Sequence, residues 1–397
     1  MNRQNFDPVV IATAVRTPIG SFQGALSSIS APNLGAAAIK AVVARAGISP
    51  EQVSEVLMGC VLTAGLGQAP ARQAALGAGL PVGIPCTTVG KVCGSGMKAA
   101  MIAHDAILAG SAEIVVAGGM ECMSAAPYLI QKARGGYRLG HGTLVDSMMF
   151  DGLEDAYHIG RTMGSFGEQC VEKFGFTREA QDAFAAESVR RAKAAIAGGL
   201  FVAETEPVTV TTRSGNLVVD TDEEPTRINI EKIPRLKPAF QTNGTITAAS
   251  SSSISDGAAA LLVMRESQAM RLHLRPLARI IGHLVHAAEP SWFTTVPIGA
   301  IRKLLAKAGW SACEVDLFEI NEAFAVVPMA VIHELGIDHV RVNVGGGACA
   351  LGHPIGASGA RIVVSLLHAL ARTGGRRGVA ALCVGGGEAT ALAVERL

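Results

Sequence analysis

Charge of one sign is missing from this chain. Its 34 lysines and arginines face 33 aspartates and glutamates, a net charge of +1, so nothing in its electrostatics favours nucleic acid or an anionic membrane as a partner. No uninterrupted apolar run reaches the roughly 18 residues needed to span a bilayer. Paired cysteines are missing too: the eight, at 60, 86, 93, 122, 170, 313, 349 and 383, contain no C-x-x-C. Cys349 and His353 stand four apart, but no second pair completes a zinc site, and no metal is expected. The first strand begins at Val9, which leaves no room for a signal or transit peptide. The expectation is a cytoplasmic protein with reduced thiols.

What is present is apolar and glycine-rich: 49% hydrophobic, 17% charged and 46 glycines in 397 residues. That composition fits a compact α/β protein of two to three domains, with some buried surface shared between subunits. Val9–Ala14 reads as a buried strand, Asn33–Ala46 as a helix stopped by Gly47, and Val53–Cys60 as the next strand. Thr87–Lys91 leads into Val92-Cys93-Gly94-Ser95-Gly96 and a helix from Met97 to Ala109. Ile114–Ala117 then reads as a strand ending in Gly118-Gly119. From Met123 to Ser253 charged helices such as Arg178–Ala195 and a β-rich piece near Val208–Val219 replace the regular alternation, as in a long insertion. Strand–helix order resumes at Asp256–Met264.

The second half echoes the first. Ile39-Lys40 and Ala44-Arg45-Ala46-Gly47 recur as Ile301-Arg302 and Ala306-Lys307-Ala308-Gly309 at an offset of 262, and Ser95-Gly96 recurs as Ser358-Gly359 at 263. Gly118-Gly119-Met120-Glu121 pairs with Gly385-Gly386-Gly387-Glu388 at 267. A duplicated α/β core with an insertion in its first half follows. Such a core sets equivalent strand–loop–helix junctions beside a shared axis, where ligand crevices form. The expected division is an N-terminal half at 1–122 plus 254–276, an inserted domain at 123–253 and a C-terminal half at 277–397.

Three junctions carry groups with chemistry. His353 lies in a glycine-rich stretch with Pro354 fixing the chain behind it, so its imidazole can be held with a fixed aim or can merely cap a helix. Cys93, with Gly94 and Gly96 beside it at a helix start, meets unpaired N–H groups and the positive end of the helix dipole, which favours thiolate. Together the two could form a nucleophile–base pair. Cys383 precedes a glycine triplet whose N–H groups could face a developing oxyanion, or which could simply turn the chain. Asn321 could hold a water or a carbonyl oxygen, or cap the next helix.

Val92-Cys93-Gly94-Ser95-Gly96, Asn321-Glu322-Ala323-Phe324, Gly352-His353-Pro354-Ile355-Gly356 and Cys383-Val384-Gly385-Gly386-Gly387 resemble the four signature blocks of the thiolases, in family order and spacing. The resemblance implies the five-layer αβαβα core and ping-pong acyl transfer. Cys93, activated by His353, takes an acyl group from an acyl-CoA. Cys383 deprotonates a second acetyl-CoA, and the carbanion attacks the thioester to give acetoacetyl-CoA. His353 and a water on Asn321 hold the enolate oxygen, and the N–H groups of Cys93 and Gly385 form the other oxyanion hole. No prosthetic group is implied, only coenzyme A thioesters as substrates. The insertion resembles the family's coenzyme A-holding loop domain. His158, Arg227, Phe240, Ser252 and Phe324 stand where that domain and its tunnel contact substrate. The family likeness also implies a homotetramer built as a dimer of dimers.

Some positions depart from the family pattern. Ser251-Ser252-Ser253 loses a glycine at 253, Phe293-Thr294-Thr295-Val296-Pro297 replaces a glycine-containing segment, and Glu388 follows the last glycine triplet. The altered 293–296 stretch keeps open a degradative 3-ketoacyl-CoA thiolase acting on longer chains. A non-catalytic acyl-CoA carrier is opposed by the joint presence of Cys93, His353 and Cys383. A dinucleotide-binding oxidoreductase lacks its G-x-G-x-x-G fingerprint after the first strand.

Overall fold

The computed structural model describes residues 7–213 and 215–397. Its first half runs β1 (Val9–Arg16), α1 (Ala31–Ala46), β2 (Glu55–Gly59), α2 (Pro70–Gly77), β3 (Cys86–Val89), α3 (Ser95–Ala109) and β4 (Ile114–Cys122). Outside the main sheet come α4 (Met163–Phe174), α5 (Arg178–Ala197) and the hairpin β5 (Val208–Thr212) and β6 (Gly215–Val219). The chain returns with β7 (Ser255–Arg265). The second half is β8 (Ala278–Ala287), α6 (Val296–Ala308), β9 (Leu317–Ile320), α7 (Val326–Leu335), α8 (Ile355–Thr373), β10 (Arg377–Val384) and β11 (Glu388–Arg396).

The main strands lie in the order β9-β10-β11-β8-β1-β7-β4-β2-β3. The two halves meet through a short antiparallel contact, Val10 with Arg279 and Ile11 with Ala278. Alternation along β1 divides its side chains between two cores. Val10 and Ala12 pack with α1 and α2, while Val9 and Ile11 face a central layer of α3 and α8. A bulge between Ile11 and Thr13 then shifts the parity, so Val15 rejoins the first core and Ala14 the second. With α6 and α7 covering the far side of the second half, the layers stack helix–sheet–helix–sheet–helix.

Local signals set the helix ends. The Ser30 hydroxyl accepts from the Asn33 N–H, Pro32 occupies the first turn of α1, and Gly47 closes it at φ 68°. Two expectations need correction. The strand starting at Ile114 does not end at the glycine pair; it runs on to Cys122. The match of Gly118-Gly119 with Gly385-Gly386 is out of register. Parallel pairing joins Met58 to Gly118 in one half and Ile320 to Ala381 in the other. Gly118 therefore corresponds to Ala381, and the glycine triplet belongs to the turn after β10.

The true role of the strand glycines is close approach at the centre. A Cβ on Gly119 would run into the Gly356 carbonyl oxygen, and one on Gly59 would sit 2.6 Å from the Gly96 nitrogen. One on Gly96 would lie 2.8 Å from the Ala360 nitrogen, and one on Gly359 would strike the Met97 nitrogen. Backbone therefore meets backbone where α3 and α8 begin. The insertion wraps this core without standing apart from it. Val208, Val210 and Val219 of the hairpin join the core under α1, and Phe166, Cys170 and Val171 of α4 join the core of the second half.

Gly119→Ala is expected to destabilise the fold by about 3 kcal/mol, the upper end of overpacking, because the obstacle is backbone with no rotamer to turn away. Gly83→Ala, whose new methyl meets nothing within 4 Å, is expected to stay within about 0.5 kcal/mol. Urea midpoints of the two variants, measured side by side, check the contrast.

Candidate active site

The two helix starts deliver two reactive groups. Cys93 lies in the short turn Val92–Gly94 ahead of α3, and Val92 takes a left-handed φ of 43° to make that turn. The Ser95 hydroxyl holds the turn closed, accepting from the Lys91 N–H at 2.8 Å and donating to the Val92 carbonyl at 2.7 Å. At the other start, Ser358 does the corresponding work for His353. Its Oγ lies 2.6 Å from His353 Nδ1 and donates to the Pro354 carbonyl at 2.9 Å.

A one-way chain of hydrogen bonds fixes the protonation of the imidazole. Arg361 can only donate, and its Nη2 lies 3.3 Å from Asn321 Oδ1. The Asn321 amide nitrogen must then face the other way, towards His353 Nε2 at 3.4 Å. At the far side the Ser358 proton is committed to Pro354, so Ser358 Oγ accepts from Nδ1–H. His353 is thus a neutral imidazole with its lone pair on Nε2. Burial reinforces this, with the nearby Arg361 charge acting the same way, and the His353 pKa falls to about 3.

Cys93 departs from the thiolate expectation. The Gly385 N–H and its own amide favour the anion, yet desolvation outweighs both and pushes the thiol up to about 11. The helix start alone does not ionise this sulfur; a proton acceptor must act as it attacks. Cys383, fully buried at the end of β10, is pushed well above the usual thiol range by burial and then by the adjacent Cys93. The two turns touch: a Cβ on Gly94 would lie 2.9 Å from Val384 Cγ2, and one on Gly385 would lie 3.4 Å from Val92 Cγ1.

A cavity of about 430 Å³ opens over this centre. His353 and Ile355 line it, with Met123, Met149, Leu153, Met163, Phe240, Ser251, Ser252, Ser253 and Phe324 among its walls. Cys93 packs against the Ile355 and Met123 side of the wall. Phe240 and Phe324 meet edge to face with centroids 5.6 Å apart, and the Ser252 N–H is anchored on the Ala323 carbonyl at 3.0 Å. His158 and Arg227 lie outside. His158 is 65% exposed, with its ring on Asp155 at 2.8 Å. Arg227 is 54% exposed and paired with Glu223 on the short helix Glu224–Arg227, whose Glu224 does reach the cavity.

The departures from the family pattern are accommodated around this centre. Ser253 accepts the His353 N–H on its carbonyl at 3.1 Å and places its hydroxyl 3.2 Å from that of Ser255. Phe293 is buried behind Phe324, away from the cavity surface. Glu388 pairs with Lys91 at the entry to the Cys93 turn.

Three supporting residues went unread in the sequence. Ser358 had a signal, its match to Ser95 in the duplicated motif. Arg361 had none, being an arginine on an otherwise apolar helix stretch. Glu121 is buried and accepts the N–H groups of Val61, Leu62 and Gly356 at 3.0 to 3.2 Å. Burial raises its pKa to about 7. It ties the β2 exit to the start of α8.

The chain is similar to known proteins over nearly its whole length. Residues 9–267 match the family model "Thiolase, N-terminal domain" and residues 274–396 match "Thiolase, C-terminal domain". An acetyl-CoA acetyltransferase of Pseudomonas aeruginosa is 52% identical over 98% of this chain and 99% of its own. A cytosolic acetyl-CoA acetyltransferase of the mouse is 50% identical over 98% of each. A solved Ascaris suum thiolase in complex with coenzyme A superposes with a TM-score of 0.93 at 43% identity, covering 98% of this chain and 100% of that one.

A thiol raised towards 11 is almost wholly protonated at neutral pH, and its thiolate fraction grows as pH rises. Iodoacetamide labelling of Cys93, followed by peptide mass, is therefore expected to speed up about tenfold per pH unit from pH 7 to pH 9. No plateau is expected in that range, because His353 stays neutral throughout. A rate that levels off below pH 8 would show a preformed thiolate instead.

Proposed function

Because this chain belongs to the thiolase family and is an acyltransferase that condenses acetyl-CoA, we propose that Cys93 carries the acyl group and that His353 moves its proton. Nε2 of the neutral imidazole accepts the Cys93 proton as sulfur attacks the thioester carbonyl. The same proton then goes to the departing coenzyme A sulfur, leaving an acyl-Cys93 thioester. The N–H groups of Cys93 and Gly385 take the oxyanion of this step.

In the second half-reaction the buried Cys383 thiol first passes its proton to His353 Nε2, and its thiolate then takes a proton from the methyl of acetyl-CoA, a carbon made acidic by its thioester. The carbanion attacks acyl-Cys93 and expels the Cys93 sulfur, which takes the proton back from His353, so acetoacetyl-CoA leaves with both thiols and the neutral imidazole restored. The enolate oxygen is held by a water on the Asn321 amide and by His353 whenever Nε2 carries a proton. The observation that carries the reading is the meeting of the Cys93 turn, the Gly385 N–H, Cys383 and a neutral His353 beneath one apolar cavity. Phe240, Ser252 and Phe324 supply a wall for the pantetheine arm. Arg227 and His158, both exposed outside the cavity, would meet the polar end of coenzyme A. The residues named suffice without a prosthetic group.

We also propose a cytoplasmic homotetramer, a dimer of dimers. The open edge of β3 and the exposed Tyr128, Ile130, Leu139 and Leu144 support subunit contacts. No helix among the described residues is long and apolar enough to cross a membrane.

Intact-protein mass after mixing with acetyl-CoA should show one added acetyl group on the parent and none on Cys93→Ala. Acetoacetyl-CoA should be cleaved faster than longer 3-ketoacyl-CoA substrates; a reversed order would make the chain a long-chain degradative enzyme. No acyl adduct from acetyl-CoA, acetoacetyl-CoA or a longer acyl-CoA would sink the covalent mechanism and leave the carrier reading.

A further inference from the structure

At its far end from Cys93, α3 presents His104 and Asp105 to His283 on β8. His104 Nδ1 lies 3.0 Å from Asp105 Oδ1, His283 Nε2 lies 2.9 Å from the same oxygen, and the two ring nitrogens are 3.2 Å apart. The rings lie nearly perpendicular, 86° between planes. Asp105 Oδ1 has lone pairs enough to accept an N–H from each ring, but hydrogen bonding then leaves the two ring nitrogens facing each other at 3.2 Å with no bond between them.

A cation removes the conflict. Bonds of about 2.0–2.1 Å to histidine nitrogen and carboxylate oxygen imply ligand–ligand edges of roughly 2.9–3.0 Å in an octahedron and 3.3–3.4 Å in a tetrahedron. All three observed separations fall at or between those edges. We propose that His104, Asp105 and His283 form a binding site for a divalent transition ion, with Zn2+, Co2+ or Ni2+ matching the two-imidazole, one-carboxylate donor set. The histidine side chains are 12% and 14% exposed, and the Asp105 side chain is 59% exposed, so one face stays open for water ligands. A surface cavity of about 740 Å³ lined by His104, Leu108, Glu266, Lys307 and Glu395 adjoins it. The Lys307 ammonium is turned to the His283 carbonyl oxygen at 3.3 Å.

The site is illegible in sequence because 178 positions separate Asp105 from His283. Its ligands come from both halves of the core. An ion there staples the end of the Cys93 helix to the second half and stabilises the folded state by mass action.

The test uses tag-free, chelator-treated full-length protein with Cys93→Ala and Cys313→Ser, which silences the nucleophilic and the exposed thiol. Zn2+ is followed by equilibrium dialysis, Co2+ by its visible absorption, and both by thermal midpoint. One ion per chain is expected, with a rise in midpoint. His104→Ala, His283→Ala and the solvent-facing Asp105→Asn should each weaken binding at least about tenfold and abolish the rise. Asp105→Asn keeps the packing, so its metal-free midpoint should match the background and separate ligand loss from misfolding. Binding that survives all three substitutions, or no saturable binding up to millimolar Zn2+, overturns the proposal.

Discussion

The architecture depends on one contact: the backbones of α3 and α8 touch where those helices begin. Side chains would hold two such helices 8–10 Å apart; Gly96 and Gly359 at the crossing, with Gly59, Gly119 and Gly356 beside it, remove that spacer. The duplicated Ser-Gly pair, 95–96 and 358–359, is the sequence trace of this contact. Because each helix is led by a turn that carries a reactive side chain, closing the helices also closes the site. Glu121 binds the Gly356 N–H from the sheet side, so strand, helix start and neighbouring loop are fixed as a unit. The constraint that joins the two halves is therefore the one that brings Cys93 towards His353.

A second layer of constraint is electrostatic. Asn321 and His353 rest on Arg361, which is buried near Glu319 at 3.8 Å. Burial raises Glu319 to about 8 in spite of that arginine. Nearby, buried Arg16 is paired with Glu204 at 2.6 Å and Asp222 at 2.7 Å, and Ser365 on α8 reaches the same Glu204 at 3.2 Å. Glu322, beside Asn321, is held by Ser188 and Asn343 at 2.7 Å each. Taking so many charges out of water is expensive, and an apolar filling would be as stable or more so. What the charges provide is direction. Arg361 cannot accept a hydrogen bond, so every donor from Asn321 to Ser358 has one orientation, and the imidazole has one tautomer. A resting site with a neutral thiol and a neutral imidazole follows, in which proton transfer accompanies attack and no ion pair has to be kept dry beforehand.

Sequence reading reached those features that are written locally. Strands, caps and the glycine-flanked Cys93 and His353 each announce themselves within a few residues, and the 262–263 offset exposed the duplication. It failed where a feature depends on register or on distance in the chain. Gly118-Gly119 and Gly385-Gly386 look alike as letters, but ladder pairing puts one pair inside a strand and the other in a turn. The helix-start argument for Cys93 gave the right location and a contribution of the right sign, but desolvation, which depends on what the rest of the fold stacks around the sulfur, outweighs it. Exposure was equally hidden: His158 and Arg227 could be assigned to the insertion, yet nothing local says that both side chains point into solvent.

The substituted positions show how such a centre tolerates change. Lys91 and Glu388 pair across the two halves, one just before the Cys93 turn and the other just after the glycine triplet. A partly exposed pair like this adds little stability, of order 0–1 kcal/mol. Its place matters more than its strength, since it joins the segments that supply the Cys93 and Gly385 N–H groups. Ser253 adds a hydroxyl where a glycine is common, and the hydroxyl finds Ser255, leaving its carbonyl free to fix the His353 N–H. Phe293 fills space behind Phe324 and alters the wall's backing, not its surface. In each case the new side chain acts on what supports the reacting groups, and the reacting atoms keep their neighbours. Variation of that kind can tune how firmly the site is held while the acyl-transfer chemistry stays the same.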